Sequence, residues 1–358
     1  MPSLALIHDG QMNSPRSRRA IAIWLFVICG LVSLMILIGG LTRLTDSGLS
    51  ITEWRPVTGA VPPLSEADWQ DEFAKYQQIP EYKLVNKGMS LDAFKTIYWW
   101  EWTHRFLGRL IGFVFAIPFF VFLAKGWIAR PLLWRLIILF GLGGLQGALG
   151  WFMVQSGLAD RVDVSQYRLV AHLGLAFLIF AFAFWLGLSQ VWPIGEGKDQ
   201  NEQGRWARLF VGLVYFQILL GGFVAGTDAG LVYNTWPLMD GRLVPEGILQ
   251  LDPWWSNFFE NVTTIQFQHR IVAYCVAVAA LTLWWRGRRL ELPPRTRLIG
   301  HHLLGFVAAQ ITLGIITLLA AAPLTLSALH QTMAIVLFAT AVLYAYALSG
   351  EAVRLARS

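Results

Sequence analysis

Four histidines, His104, His172, His269 and His330, stand where long apolar runs begin, in the stretches EWTHRFLGRLIG, LVAHLGLA, QFQHRIVAYCVA and LSALHQTMA. An imidazole in lipid is costly unless something binds it, and four at matching places in two halves of one chain read as ligands rather than as isolated polar residues. Paired imidazoles on facing helices of a four-helix bundle suit the two axial positions of a heme iron. The chain has no C-x-x-C-H stretch, so such a heme would be held without thioether bonds, as a b-type heme is. His8, in the N-terminal tail, and His301 with His302, at the start of a later apolar run, read as solvated.

The neighbours of the four histidines fit a flat, doubly acidic ligand. Gly108 and Gly112 follow His104 by four and eight residues, and Ala273 and Ala277 follow His269 in the same way, so one face of each helix is kept small. Small residues at this spacing also serve close helix packing; the histidine on the same face favours a porphyrin plane. Arg105 and Arg270 directly follow two of the histidines, Arg109 lies one turn beyond Arg105, and Arg168 precedes His172 by one turn. Guanidinium forks bind carboxylates in pairs, so these four are candidates for heme propionates, with snorkelling to headgroups as the other reading. Gln146 with Gly143, Gly147 and Gly150, and Gln310 with Gly314, read as packing.

One position separates the halves. Three residues before its histidine the first half has Glu101, whereas the second has Gln266. The i to i+3 spacing puts Glu101 on the face of His104, so an ionisable group lies near the iron site of one half only, which marks that half as the place of chemistry. Pairing of Glu101 with Arg105, one turn on, is the structural alternative.

The elements that position these residues are membrane helices. Of the 358 residues 56% are hydrophobic and only 14% charged, against about 25% charged in soluble domains. Eight apolar runs are long enough to span a bilayer, near 21–43, 104–124, 134–154, 167–189, 209–226, 268–286, 299–320 and 327–349. With the N-terminus in the cytoplasm, 16 of the 28 Lys and Arg fall in cytoplasmic segments and 7 in the opposite loops, so both termini are expected inside. A basic inner face accounts for the net charge of +6 without nucleic acid as a partner. The first 20 residues lack the pattern of a cleaved signal. Cys29 and Cys275 both fall inside spans, leaving no thiol pair for a loop disulfide.

The chain also repeats itself. GGLTRLTDSGL at 39–49 resembles GGFVAGTDAGL at 221–231, EWTHRFLGRLIG aligns with QFQHRIVAYCVA, LQGALG with AQITLG, and the sequences around His172 and His330 correspond. The fold class expected is therefore an all-α membrane protein, eight transmembrane helices in two tandem four-helix bundles. Residues 1–192 would form the first bundle, 193–206 a polar cytoplasmic linker and 207–358 the second bundle. Each half carries a large outer loop before its second span; LSEADWQDEFAKYQQI in the first reads as a short interfacial helix, and Asp46 and Asp228 of the TDSGL and TDAGL stretches would fix the loop bases.

EWTHR followed by AH, then QHR followed by LH, together with TDSGLSITEWRP and its TDAGL echo, resemble the heme A synthase family over essentially the whole chain. That resemblance implies oxidation of the C8 methyl of heme O to the formyl group of heme A, for cytochrome oxidase assembly in a bacterial inner membrane. It implies that His104 and His172 bracket the substrate heme, that Glu101 assists the chemistry, and that His269 and His330 ligate a permanent heme b. One branch of the family carries a cysteine pair in the first outer loop; residues 44–103 have none, so the chain fits the proteobacterial and mitochondrial branch. Heme O, itself lipid-like, would enter from the membrane, with heme O synthase and cytochrome oxidase assembly factors as expected partners. Span faces bearing Gly and Trp could meet lipid or a second copy of the chain. The rival readings are a diheme b-type electron-transfer cytochrome and a heme transporter.

Overall fold

The computed structural model describes residues 14–55, 57–160, 162–192 and 202–349. The expectation that both termini are cytoplasmic falls on ends outside the described residues, as do most of the linker and His8. The chain divides into two compact units, 1–192 and 193–358.

Unit one holds α1 (Pro15–Leu44), α2 (Glu66–Tyr76), α3 (Pro80–Leu84), α4 (Leu91–Ala124), α5 (Arg130–Asp160) and α6 (Gln166–Val191). Unit two holds α7 (Glu202–Gly226), α8 (Asn257–Glu260), α9 (Val262–Arg288), α10 (Pro294–Leu319) and α11 (Leu324–Ser349). Eight of these, α1, α4, α5, α6, α7, α9, α10 and α11, are long and apolar enough to cross a membrane. α7 runs from Glu202, within the stretch expected as linker.

Helix starts follow local chemistry. Ser14 caps α1 by accepting from the Ser17 amide ahead of Pro15 at the first helical position. Ser65 and Asp68 form a capping box at α2. Ser90 caps α4 through the Ala93 amide, and Asn261 caps α9 through the amides of Thr263 and Thr264.

In unit one α1 packs against α4 and α6, while α5 packs against α6 and touches α4 sparingly. The histidine-bearing helices α4 and α6 therefore lie across the bundle from each other, separated by α1 and α5. Unit two repeats the ring, with α9 and α11 diagonal and α7 and α10 between them. Packing inside unit one is aromatic: the Trp24 ring packs tilted against Phe115, centroids 5.0 Å apart, and its indole donates to the Val114 carbonyl at 2.8 Å.

α4 begins thirteen residues before the apolar run at 104, and the reason lies in the polar layer. Phe94 and Tyr98, one turn apart, pack with Trp69, Phe73 and Tyr76 of α2 and with Leu49 and Ile51 of the loop. Ring centroids are 5.0 Å apart for Phe73–Phe94 and Trp69–Tyr98. Burying one such ring is worth about 2 kcal/mol in water, enough to draw the helix out beyond its lipid-length core. The expected short helix in LSEADWQDEFAKYQQI is α2, and with α3 it forms a crown over one end of the bundle.

Candidate functional site

Each of the four histidines leans on a glycine of the neighbouring helix. A Cβ built on Gly39 of α1 would lie 2.8 Å from the His104 ring, on Gly150 of α5 3.0 Å from His172, on Gly221 of α7 3.3 Å from His269, and on Gly314 of α10 2.8 Å from His330. Only glycine admits the imidazole this close. The pairing is the same four times: a glycine on the first and third spans of each unit, a histidine on the second and fourth.

Glutamines strap three of these rings. Gln146 donates to the His172 carbonyl at 3.0 Å and lies 3.4 Å from its ring Nε2. Gln310 does the same for His330, at 3.1 and 3.4 Å, and Gln217 for His269, at 3.0 Å to the carbonyl and 3.1 Å to the ring Nδ1. Gln146 and Gln310, which the sequence suggested were packing residues, thus position the histidines, and Gln217 joins them. The signal was legible as Q-x-x-x-G on three spans, 146–150, 217–221 and 310–314; without the fold nothing tied it to the histidines.

The two units match again at their crowns, that of unit two being the loop 227–261 ahead of α9. Arg105 donates to the carbonyls of Ile51 and Glu53, at 2.8 and 3.0 Å. Arg270 donates to those of Tyr233 and Thr235, both at 2.8 Å. The loop residues are displaced by the same 182 positions as the TDSGL and TDAGL stretches. Asp46 and Asp228, one such pair, both adopt left-handed backbone, φ 47° and 53°, where the chain leaves its helix. Arg43 forms an ion pair with Asp46 at 2.8 Å.

The guanidiniums of Arg105 and Arg270 are committed to loop carbonyls. Arg109 reaches the Arg55 carbonyl at 2.9 Å, and Arg168 lies over the Phe152 ring at 4.3 Å. Gly108 faces Met35 across α1, whereas nothing within 4 Å opposes a Cβ at Gly112. A cavity of about 280 Å³ opens in the crown beside Arg55, Arg105, Arg109, Glu53 and Tyr98.

Glu101 and Gln266, each 2% exposed, diverge in what surrounds them. The Oε1 of Glu101 accepts from Arg105 at 2.6 and 3.0 Å, and its Oε2 accepts from the Ser50 hydroxyl and the Ile51 amide, both at 2.7 Å. Gln266 accepts from Arg270 at 2.9 Å and donates to the Ala229 carbonyl at 2.7 Å. An acceptor surrounded by four donors is a carboxylate site, and one donor facing a carbonyl is an amide site. The expected Glu101–Arg105 pair is present, with two loop donors that spacing did not indicate.

The histidine surroundings suit a heme in either unit. Among the described residues no carboxylate is bonded to these imidazoles, the Nδ1 atoms of His104, His172 and His330 are buried without a hydrogen-bond partner, and small residues line the adjoining helix faces.

Residues 22–342 match the COX15-CtaA family model, described as cytochrome oxidase assembly protein. The chain is 53% identical to the heme A synthase of Nitrosospira multiformis, over 90% of this chain and 92% of that one. It is 50% identical to the heme A synthase of Parvibaculum lavamentivorans, over 93% and 95%, and 49% identical to that of a Caulobacter species, over 94% and 97%. A family match over residues 22–342 and identity of about half over nine-tenths of the chain make it a member of the COX15-CtaA cytochrome oxidase assembly family, in its proteobacterial branch.

Proposed function

We propose that the protein converts heme O to heme A in a bacterial inner membrane, with its termini on the cytoplasmic side. The observation that carries this is identity of about half the residues, over nine-tenths of the chain, with proteins named heme A synthase. The net chemistry is oxidation of the C8 methyl to a formyl group, by two hydroxylations and loss of water from the resulting gem-diol.

Unit one is the substrate site, with His104 and His172 on opposite helices as the groups that hold heme O. Glu101 stands one turn before His104 and takes or returns the protons of the oxidation. Its bonds to Ser50 and Ile51 couple that carboxylate to the crown, which keeps water from the reacting edge. Arg105 fixes crown to helix beside the site. In unit two His269 and His330 hold heme b, which when bound supplies one-electron transfer. The strapped rings of that unit suit a group that stays. Heme O synthase, as the source of a membrane-dissolved substrate, and assembly factors that receive heme A are the expected partners.

The correspondence between the two units favours one competing reading, a diheme electron-transfer cytochrome. Acid–acetone extraction of protein purified from cells that make heme O, followed by chromatography with mass detection, separates the two. Heme B together with heme O, hydroxylated heme O or heme A is expected. Heme B alone, from wild type and Glu101→Ala alike, would overturn the synthase.

A further inference from the structure

The glutamine strap is missing at one histidine of four. Gln146, Gln217 and Gln310 each lie four residues before the glycine that faces the strapped ring. On α1 the residue four before Gly39 is Met35. It occupies the corresponding place, its Cε 3.4 Å from a Cβ on Gly108, one turn along the face of His104. A thioether has no proton to donate and accepts weakly, so the His104 carbonyl and ring receive nothing from it. Methionine is also flexible, able to yield to a moving neighbour. No amide fixes the imidazole of His104, and of the four histidines that face a glycine it is the one so placed.

We propose that His104 is the releasable ligand of the N-terminal site, and that Met35 makes it so by standing where the other three histidines have a glutamine. Heme O then docks with formation of a bond to His104, and heme A leaves with loss of that bond, while His172 keeps its strap. This rests on the reading of unit one as the substrate site. Met35 is a positioning residue: it acts through His104.

The test is a swap, read by ligand exchange on the whole protein in mild detergent, from cells that make heme O. Carbon monoxide added to the dithionite-reduced protein takes an axial position only when a histidine leaves it, and the Soret change reports the rate. Transfer of heme to apomyoglobin, which breaks the His172 bond as well, gives a second rate that loss of the His104 bond must precede or accompany. Met35→Gln is expected to slow both by roughly three- to tenfold, the factor one net hydrogen bond supplies. Met35→Leu, which adds no donor, is expected to keep the wild-type rates. The reverse swap, Gln217→Met, should make the second site react with carbon monoxide faster by a similar factor, and it carries the test if Met35→Gln does not accumulate.

Unchanged rates in Met35→Gln, or equal slowing in Met35→Leu, would overturn the proposal alone, provided the reacting pigment is heme O or heme A. A reacting pigment that extracts as heme B and is lost with His269 would overturn both this proposal and the allocation of substrate to unit one.

Discussion

Glu101 and Gln266 hold corresponding places on α4 and α9 and accept from corresponding arginines, yet Glu101 receives the Ile51 amide where Gln266 donates to the Ala229 carbonyl. Each side chain matches the loop groups it meets, so an amide at position 101 would set a donor against donors.

Glu101→Gln is therefore not a silent removal of charge. Every partner of Glu101 is a donor, so the new amide group must face one of them. The cost is about 1–3 kcal/mol. A fall of several degrees in the thermal midpoint is expected, with faster proteolysis of the 45–90 segment and at least a tenfold loss of heme A. Glu101→Asp should recover part of the stability. Normal heme A output from Glu101→Gln would exclude Glu101 from the oxidation.

The glycines facing the histidines permit a site-by-site test. Gly314→Ala puts a methyl 2.8 Å from the His330 ring, and Gly39→Ala does the same at His104. Gly314→Ala should lower the heme B recovered per protein at least severalfold while sparing substrate pigment. Gly39→Ala should show the reverse. Pigment extraction from the two variants reads the difference, and loss of the same pigment in both would contradict separate sites.

Arg270→Ala should loosen the crown of unit two by removing bonds to Tyr233, Thr235 and Gln266. Charge-assisted bonds are worth about 1.5–3 kcal/mol each before solvent replaces them. Faster cleavage within 233–261 is expected in limited proteolysis, with cleavage in 45–90 unaltered.

Glu81, on α3, gives the crown a pH dependence. It is 4% exposed, bonded to the Tyr76 hydroxyl at 3.2 Å and to Asn86 at 3.3 Å. Burial pushes its pKa up to about 8 against an ordinary 4.5, with the charges of Glu101, Asp46 and Asp163 acting the same way and the Tyr76 bond opposing. Between pH 4.5 and about 8 the fold holds a proton that the unfolded chain has lost, so crown stability falls as pH rises through that window. Proteolysis of 45–90 should be faster at pH 8 than at pH 6, and Glu81→Gln should remove most of the difference.

Much of this protein is legible in its residues taken in order. Apolar length sets eight spans, because a bilayer demands about 20 apolar residues. The four histidines, the Glu101–Gln266 difference and the echo of TDSGL in TDAGL are identities and spacings, and these need no coordinates. The arginines show the limit. Arg105 and Arg270 stand beside the histidines by adjacency, but a guanidinium reaches several ångströms, and which carboxylate or carbonyl it meets depends on where a loop 35 to 54 residues earlier returns. The same holds for Gln146, Gln217 and Gln310, whose partners lie on other helices. The extension of α4 to Leu91 was hidden because hydropathy registers lipid, whereas aromatic packing in a polar layer drives that part of the helix. Sequence determined which groups are present and on which helix face, since helical period fixes both. Tertiary structure decided which of them meet, because contact between distant residues depends on how helices and loops pack and not on spacing along the chain.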